Sequence, residues 1–227
     1  QQLARETAEQ VIVLLRNERA VLPLPATESI ALIGPLATAT TEMLSIYASA
    51  NNRVLSDSPL MALRRRAGST VSYAPGCSAG SLHRIDPPDV HSCTAGDNST
   101  SGFAHAVALA RAAHTAVVVV GLVPYQQEGE GLDRHDLRLP GVQAALVRSV
   151  LAANPRTVVV LINGGPLDTS AIAEVPALLE AFYPGQAGGT AIARVLFGDV
   201  SPSGRLPTTH YTNALAARRA ISQMRPA

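Results

Sequence analysis

Tryptophan is absent from this chain, and only three phenylalanines and five tyrosines stand beside its aliphatic residues. The core must therefore be built from Val, Leu, Ile and Ala. Excess charge is lacking too: 18 basic residues against 17 acidic ones leave a formal +1. That balance excludes an electrostatic case for nucleic acid or an anionic membrane surface. The densest basic run, Arg64-Arg65-Arg66, closes a predicted helix, where cations are favourable without any partner. No apolar run approaches the roughly 18 residues of a membrane span. No signal-peptide pattern follows Gln1, a feature that a processed secreted chain would also lack.

Two motifs that α/β proteins often carry are missing as well. The strand ending at Ile33-Gly34 runs on into Pro35-Leu36-Ala37, which is neither GxGxxG nor GxxxxGK(S/T). A flavodoxin-like nucleotide or flavin site therefore has no phosphate loop. Gly185, Gly188 and Gly189 precede a predicted helix and could hold an anion at its N-terminus, but tight-turn glycines are the plainer reading. No G-x-S-x-G elbow occurs, so Asp168 and His210 have no strand-end nucleophile to serve. Cysteine is down to two, Cys77 and Cys93, flanking a Pro/Asp/Ser/His-rich segment. A disulfide closing a long loop, a Cys2His2 cluster with His83 and His91, and two free thiols all remain open, the disulfide being the most ordinary. Asn98-Ser99-Thr100 has the form of a glycosylation acceptor, which beside a disulfide leans towards a secreted protein.

What the chain does have is a central stretch from Thr115 to Gln143. Ala116–Val120 is apolar and mostly β-branched, as in a strand covered on both faces, and Gly121 ends it. A polar loop follows with Glu128, Glu130, Asp133, Arg134, His135 and Asp136, and Leu139-Pro140-Gly141 leads into an amphipathic segment. Charged residues at the C-terminal end of a buried strand occupy the usual place of a binding or catalytic loop in open α/β sheets. Packed carboxylates push one another's pKa up while an arginine can hold one ionised, the separation that acid/base work on a glycosidic oxygen needs; from charges alone, a solvated acidic loop on a rigid sheet is the plainer reading.

Around this stretch the patterning predicts helices over 3–17, 58–66, 101–113 and 141–152, and a last one running through Leu196. Strands are predicted over 29–33, 70–73, 156–162 and 177–183, with a long structured loop from Cys77 to Thr100. Such alternation predicts one α/β domain with a mainly parallel sheet sandwiched between helices. Its span is 1–211, followed by a poorly patterned tail over 212–227.

The segment EGEGLDRHDLRLPGVQ resembles the C-terminal α/β sandwich domain of family 3 glycoside hydrolases, where E-x-E-G-x-D-R precedes an LPG-x-Q helix start. The opening helix with its Leu-Pro-Leu connector, SIALIGPLA, VSYAPGC, VVVLINGGPLD and AFYPGQAGGTAIARVLFGDVSPSGRLPTTHY are similar to further parts of that domain. TSGFAHAVALARAAHTAVVVVGL and the YAPGC element are closest in flavour to the fungal-type β-xylosidase branch.

The resemblance implies part of a retaining, exo-acting β-glycosidase, a β-xylosidase first and a β-glucosidase second, acting on an oligosaccharide or aryl glycoside in xylan degradation. It implies that Glu130 is the general acid/base, with Glu128 the rival two residues earlier, and that Asp133 and Arg134 brace the loop through a salt bridge. The nucleophilic Asp would come from an N-terminal (β/α)8 barrel, on the same or a partner chain. Neither that barrel nor a fibronectin-like domain is encoded in these residues, so the chain alone is expected to be inactive. No cofactor and no metal is called for. The competing class is a non-catalytic carbohydrate-binding or structural module.

Overall fold

The computed structural model describes residues 1–48, 56–77, 99–124, 126–131, 134 and 136–210. Six strands form one sheet, β1 (Val13–Asn17), β2 (Ile30–Ile33), β3 (Val71–Ala74), β4 (Thr115–Gly121), β5 (Thr157–Ile162) and β6 (Ala177–Glu180). Their spatial order is β1-β6-β5-β4-β2-β3. Every neighbouring pair is parallel except β1 with β6. Among the described residues, five α-helices cover it: α1 (Gln2–Val11), α2 (Pro59–Ala67), α3 (Phe103–Ala112), α4 (Gln143–Ala153) and α5 (Gly188–Leu196).

Strict alternation along the buried strands explains the two layers. Val117, Val119, Val158, Val160 and Leu179 point to one side, where they meet Ala8 of α1, Leu60 and Leu63 of α2, and Ile192, Val195 and Leu196 of α5. Val118, Val120, Val159, Leu161 and Leu178 point to the other, against Ala106 and Ala110 of α3 and Leu146, Val147 and Val150 of α4. Both faces of β4 and β5 are thus dry, which is why those strands read as unbroken apolar runs. The predicted α/β sandwich is the observed one.

Two local expectations fail. The helix predicted over 3–17 stops at Val11, and Val13–Asn17 joins the sheet as its antiparallel edge, with a bulge between Leu14 and Arg16. The run Val11-Ile12-Val13-Leu14-Leu15 is apolar at either period, and its β-branched residues favour the strand once the free edge of β6 is there to pair with. Arg16 then ties this edge down by donating to the Val175 carbonyl at 2.8 Å. The second failure is the strand predicted over 177–183. It ends at Glu180, and Phe182 takes a positive φ of 53°, turning the chain before Tyr183.

Polar contacts tie the helices of the first layer together at its rim. Glu9 of α1 accepts from Arg194 of α5 at 2.7 Å and lies 3.3 Å from Arg5. Arg65 and Arg66, read from sequence as cations at a helix end, have specific partners instead: Arg65 pairs with Asp57, and Arg66 with Asp199 and the ring of Phe197. The expected Cys77–Cys93 pairing, His83 and His91, the Asn98 acceptor, Asp133, His135 and the tail beyond His210 lie outside the described residues, although Cys77 itself is buried and is not a free thiol.

Candidate active site

The loop carboxylates sit where β4 runs out. Gly121, the last residue of β4, has a φ of 148°, and a Cβ there would run into the Ile162 carbonyl of β5. Its backbone is gripped from the α4 side by the fully buried Gln143, whose Oε1 accepts from Gly121 N at 2.8 Å while Nε2 donates to Gly121 O at 3.0 Å. This is the physical content of the glutamine in LPGVQ: it replaces the strand partner that the end of β4 lacks. A tight turn follows, in which Gln126 and Gln127 donate backbone N–H groups to the Val123 carbonyl and the Gln127 side chain accepts from Val123 N. The turn folds the chain back so that Glu128 bridges to Pro124.

Glu128 is half-buried and held by groups from two other strand ends. Its Oε1 accepts from Gly164 N, in the loop after β5, at 2.5 Å, and from the Tyr183 hydroxyl, in the loop after β6. Its Oε2 lies on the side of Gly165 and Arg134 and accepts no hydrogen bond among the described residues. Gly164 has no room for a side chain, since a Cβ would come 2.8 Å from the Tyr183 ring and 2.9 Å from Glu128 Oε1. Arg134 donates to the Pro166 carbonyl at 2.5 Å, fastening the DR end of the motif to that same loop. The salt bridge expected of it cannot be followed to Asp133, which is outside the described residues.

Beneath this arrangement lies Glu180, the last residue of β6 and fully buried. Burial pushes its carboxyl up to about 8, with the nearby Glu128 charge adding to the rise and bonds from Phe182 N and Asn163 opposing it. Tyr183 is also pushed above the ordinary tyrosine range, first by burial and then by the Glu128 carboxylate that its hydroxyl serves.

Glu130, by contrast, is exposed, and its Oε2 accepts from the hydroxyl of the exposed Tyr47 at 3.3 Å. Asp136 pairs with Arg138 at 2.7 Å, which holds its carboxyl below the usual range. The glycines Gly185, Gly188 and Gly189 are turn and packing glycines: Gly189 N donates to the Asp57 carbonyl, and a Cβ at Gly189 would strike that backbone. A cavity of about 520 Å³ is lined by Asp57, Met61, Arg65 and Thr190 among others, and none of the loop carboxylates lines it. Sequence reasoning found the loop but missed Gly164, Tyr183, Glu180 and Gln143. One signal was present: a glutamate inside the otherwise apolar ALLEAFY.

Comparison with known proteins agrees with this architecture. A family model described as the glycosyl hydrolase family 3 C-terminal domain matches residues 12–224. The chain is 38% identical over 217 residues to probable beta-D-xylosidase 6 of Arabidopsis thaliana, covering 92% of this chain and 25% of that protein. Among solved structures, a GH3 exo-beta-xylosidase (XlnD) in complex with a xylobiose aziridine probe superposes with a TM-score of 0.77 at 34% identity, over 92% of this chain and 25% of that one. A GH3 beta-glucosidase from Bifidobacterium adolescentis gives 0.76 at 32% identity, over 93% and 29%. The chain therefore spans about a quarter of the length of the relatives it matches.

Proposed function

This chain belongs to the glycosyl hydrolase family 3 C-terminal domains, and on that premise we propose that it supplies the general acid/base to a retaining, exo-acting β-glycosidase, a β-xylosidase before a β-glucosidase. The observation that carries this is Glu128: a carboxylate at the C-terminal end of a buried central strand, with one oxygen fixed by Gly164 N–H and Tyr183 O–H and the other accepting no hydrogen bond among the described residues. Motif spacing put Glu130 first and Glu128 second, and the geometry favours the reverse. Acid/base catalysis needs a group held within a fraction of an ångström by locked neighbours on rigid elements. Glu128 has such neighbours at the ends of two other strands, β5 and β6, whereas Glu130 stands in solvent beside Tyr47.

In the proposed mechanism, protonated Glu128 gives its proton to the glycosidic oxygen as an aspartate of a barrel domain attacks the anomeric carbon. The C–O bond to the leaving group breaks and a covalent glycosyl–aspartate forms. Glu128, now a carboxylate, takes a proton from the water that releases the sugar. Arg134 holds the loop rather than the proton. An oligosaccharide or aryl glycoside is the substrate, and the barrel, on this polypeptide or another, is the partner that completes the site. The buried Cys77 and the Asn98 acceptor favour a secreted glycoprotein with a Cys77–Cys93 disulfide.

The test is Glu128→Gln and Glu130→Gln in the complete enzyme. In kcat/KM, which reports the step that expels the leaving group, the Glu128 variant should lose about 10²- to 10⁴-fold on substrates with poor leaving groups and little on a dinitrophenyl glycoside, whose leaving group needs no proton. If the Glu130 variant shows that pattern and the Glu128 variant does not, the assignment moves to Glu130; if neither does, a non-catalytic module is the better reading.

A further inference from the structure

A glutamate fully buried at the end of a central strand is a costly residue. A leucine or methionine would fill the same volume with no charge to desolvate. Glu180 is such a residue, and what it bonds to explains its presence. Its Oε1 accepts from Phe182 N at 3.0 Å, and its Oε2 accepts from Asn163 Nδ2 at 3.3 Å. Phe182 opens the turn after β6 with a positive φ, and Tyr183 follows directly. Asn163 opens the loop after β5, and its Nδ2 also donates to Gly165 O at 2.7 Å, across the residue whose N–H holds Glu128. Each oxygen of Glu180 thus anchors one of the two loops, and each loop delivers one donor to the same oxygen of Glu128.

We propose that Glu180 is a positioning residue for Glu128, fixing through Asn163 and Phe182 the two loops whose Gly164 N–H and Tyr183 O–H orient the Glu128 carboxyl. It touches neither substrate nor Glu128. The bridge also holds Phe182 in the left-handed region, where an aromatic residue sits only if its surroundings impose it. The catalytic part of this inference rests on the reading of Glu128 as acid/base; the structural part does not.

Glu180→Gln tests the bridge, because glutamine keeps the shape but offers one acceptor where the two donors need two. In the intact polypeptide carrying this chain, residue-resolved hydrogen exchange should accelerate about tenfold or more at Gly164 or Phe182, or both, and not at Val159 or Val160 in the middle of β5. Asn163→Ala should accelerate Gly164 and spare Phe182, and it decides the matter alone if the Glu180 variant does not fold. Unchanged exchange at Gly164 in Asn163→Ala, or an equal acceleration throughout β5 and β6, overturns the proposal. In the complete enzyme, Glu180→Gln should lower kcat/KM about tenfold more for a poor leaving group than for a dinitrophenyl glycoside, a split that general loss of stability would not produce. A uniform loss overturns the catalytic part. If Glu128→Gln leaves hydrolysis intact, the acid/base reading fails while the exchange result still decides the bridge.

Discussion

Two clusters of charged side chains sit on this sheet's surroundings, and they are built on opposite terms. Asp57 is closed: Arg65 donates to both its oxygens, at 2.9 and 2.6 Å, Thr190 donates to one of them, and its carbonyl accepts from Gly189 N near the start of α5. Glu128 is open on one side. Oε1 is saturated by two donors, while Oε2 carries no bond among the described residues. Charge density does not separate the two. Bonding capacity left over on a rigid mount does, and that is what a reacting proton needs. The cavity beside Asp57 is no counterargument, because both oxygens of the carboxylate there are already engaged by Arg65 and Thr190.

The sharpest way to break the comparison is to remove one carboxylate from each cluster. Glu128→Gln is expected to give the largest effect of all, the loss of about 10²- to 10⁴-fold on unactivated substrates in the complete enzyme. Assayed without a barrel domain, the 227-residue chain should turn over nothing measurable, since an acid without its nucleophile cannot run double displacement.

The next effect is on stability and sharpens the contrast in burial. Glu180 titrates at about 8 in the folded protein, against an ordinary carboxyl value of 4.5. Between those values the native state holds a proton that the unfolded chain has lost, so ν for the folded form exceeds that of the unfolded form. This contribution is full below about pH 4.5 and is lost as pH rises towards 8, with a slope of at most about 1.4 kcal/mol per unit. Urea melts of wild type and Glu180→Gln from pH 5 to 8 should therefore converge or cross, the variant lacking the downward slope. Parallel curves would mean that Glu180 is ionised throughout. A smaller loss, about 2 kcal/mol, is expected for Gln143→Leu, which strands the N–H and C=O of Gly121 in the core, read by the same melts.

The sheet was legible because β4 and β5 are buried on both faces, so each reads as an unbroken β-branched run that favours a strand. β1 was not, because VIVLL suits a helix face as well as a strand, and what decides it is the free edge of β6, more than 160 residues away in sequence. The loop carrying Glu128 and Glu130 was legible as a place. The ranking we propose for the two was not, since it rests on Gly164 and Tyr183, which arrive from other strand ends. Spacing reports which residues are close in sequence, and site geometry here is made between loops.

The smallest expected effect is the control that gives the comparison its meaning. Asp57→Asn removes a charge whose partner Arg65 is 54% exposed, so solvent already screens much of the pair. The carbonyl of residue 57 still accepts from Gly189 N, and an asparagine can still receive one of the Arg65 bonds. Stability should fall by about 1 kcal/mol or less, less again in high salt, and leaving-group dependence should not change. A collapse of hydrolysis as deep as that of Glu128→Gln, in a variant whose melting is nearly wild type, would show that the cleft beside Asp57 belongs to the reaction. Closed bonding would then be no guide to which carboxylate is structural.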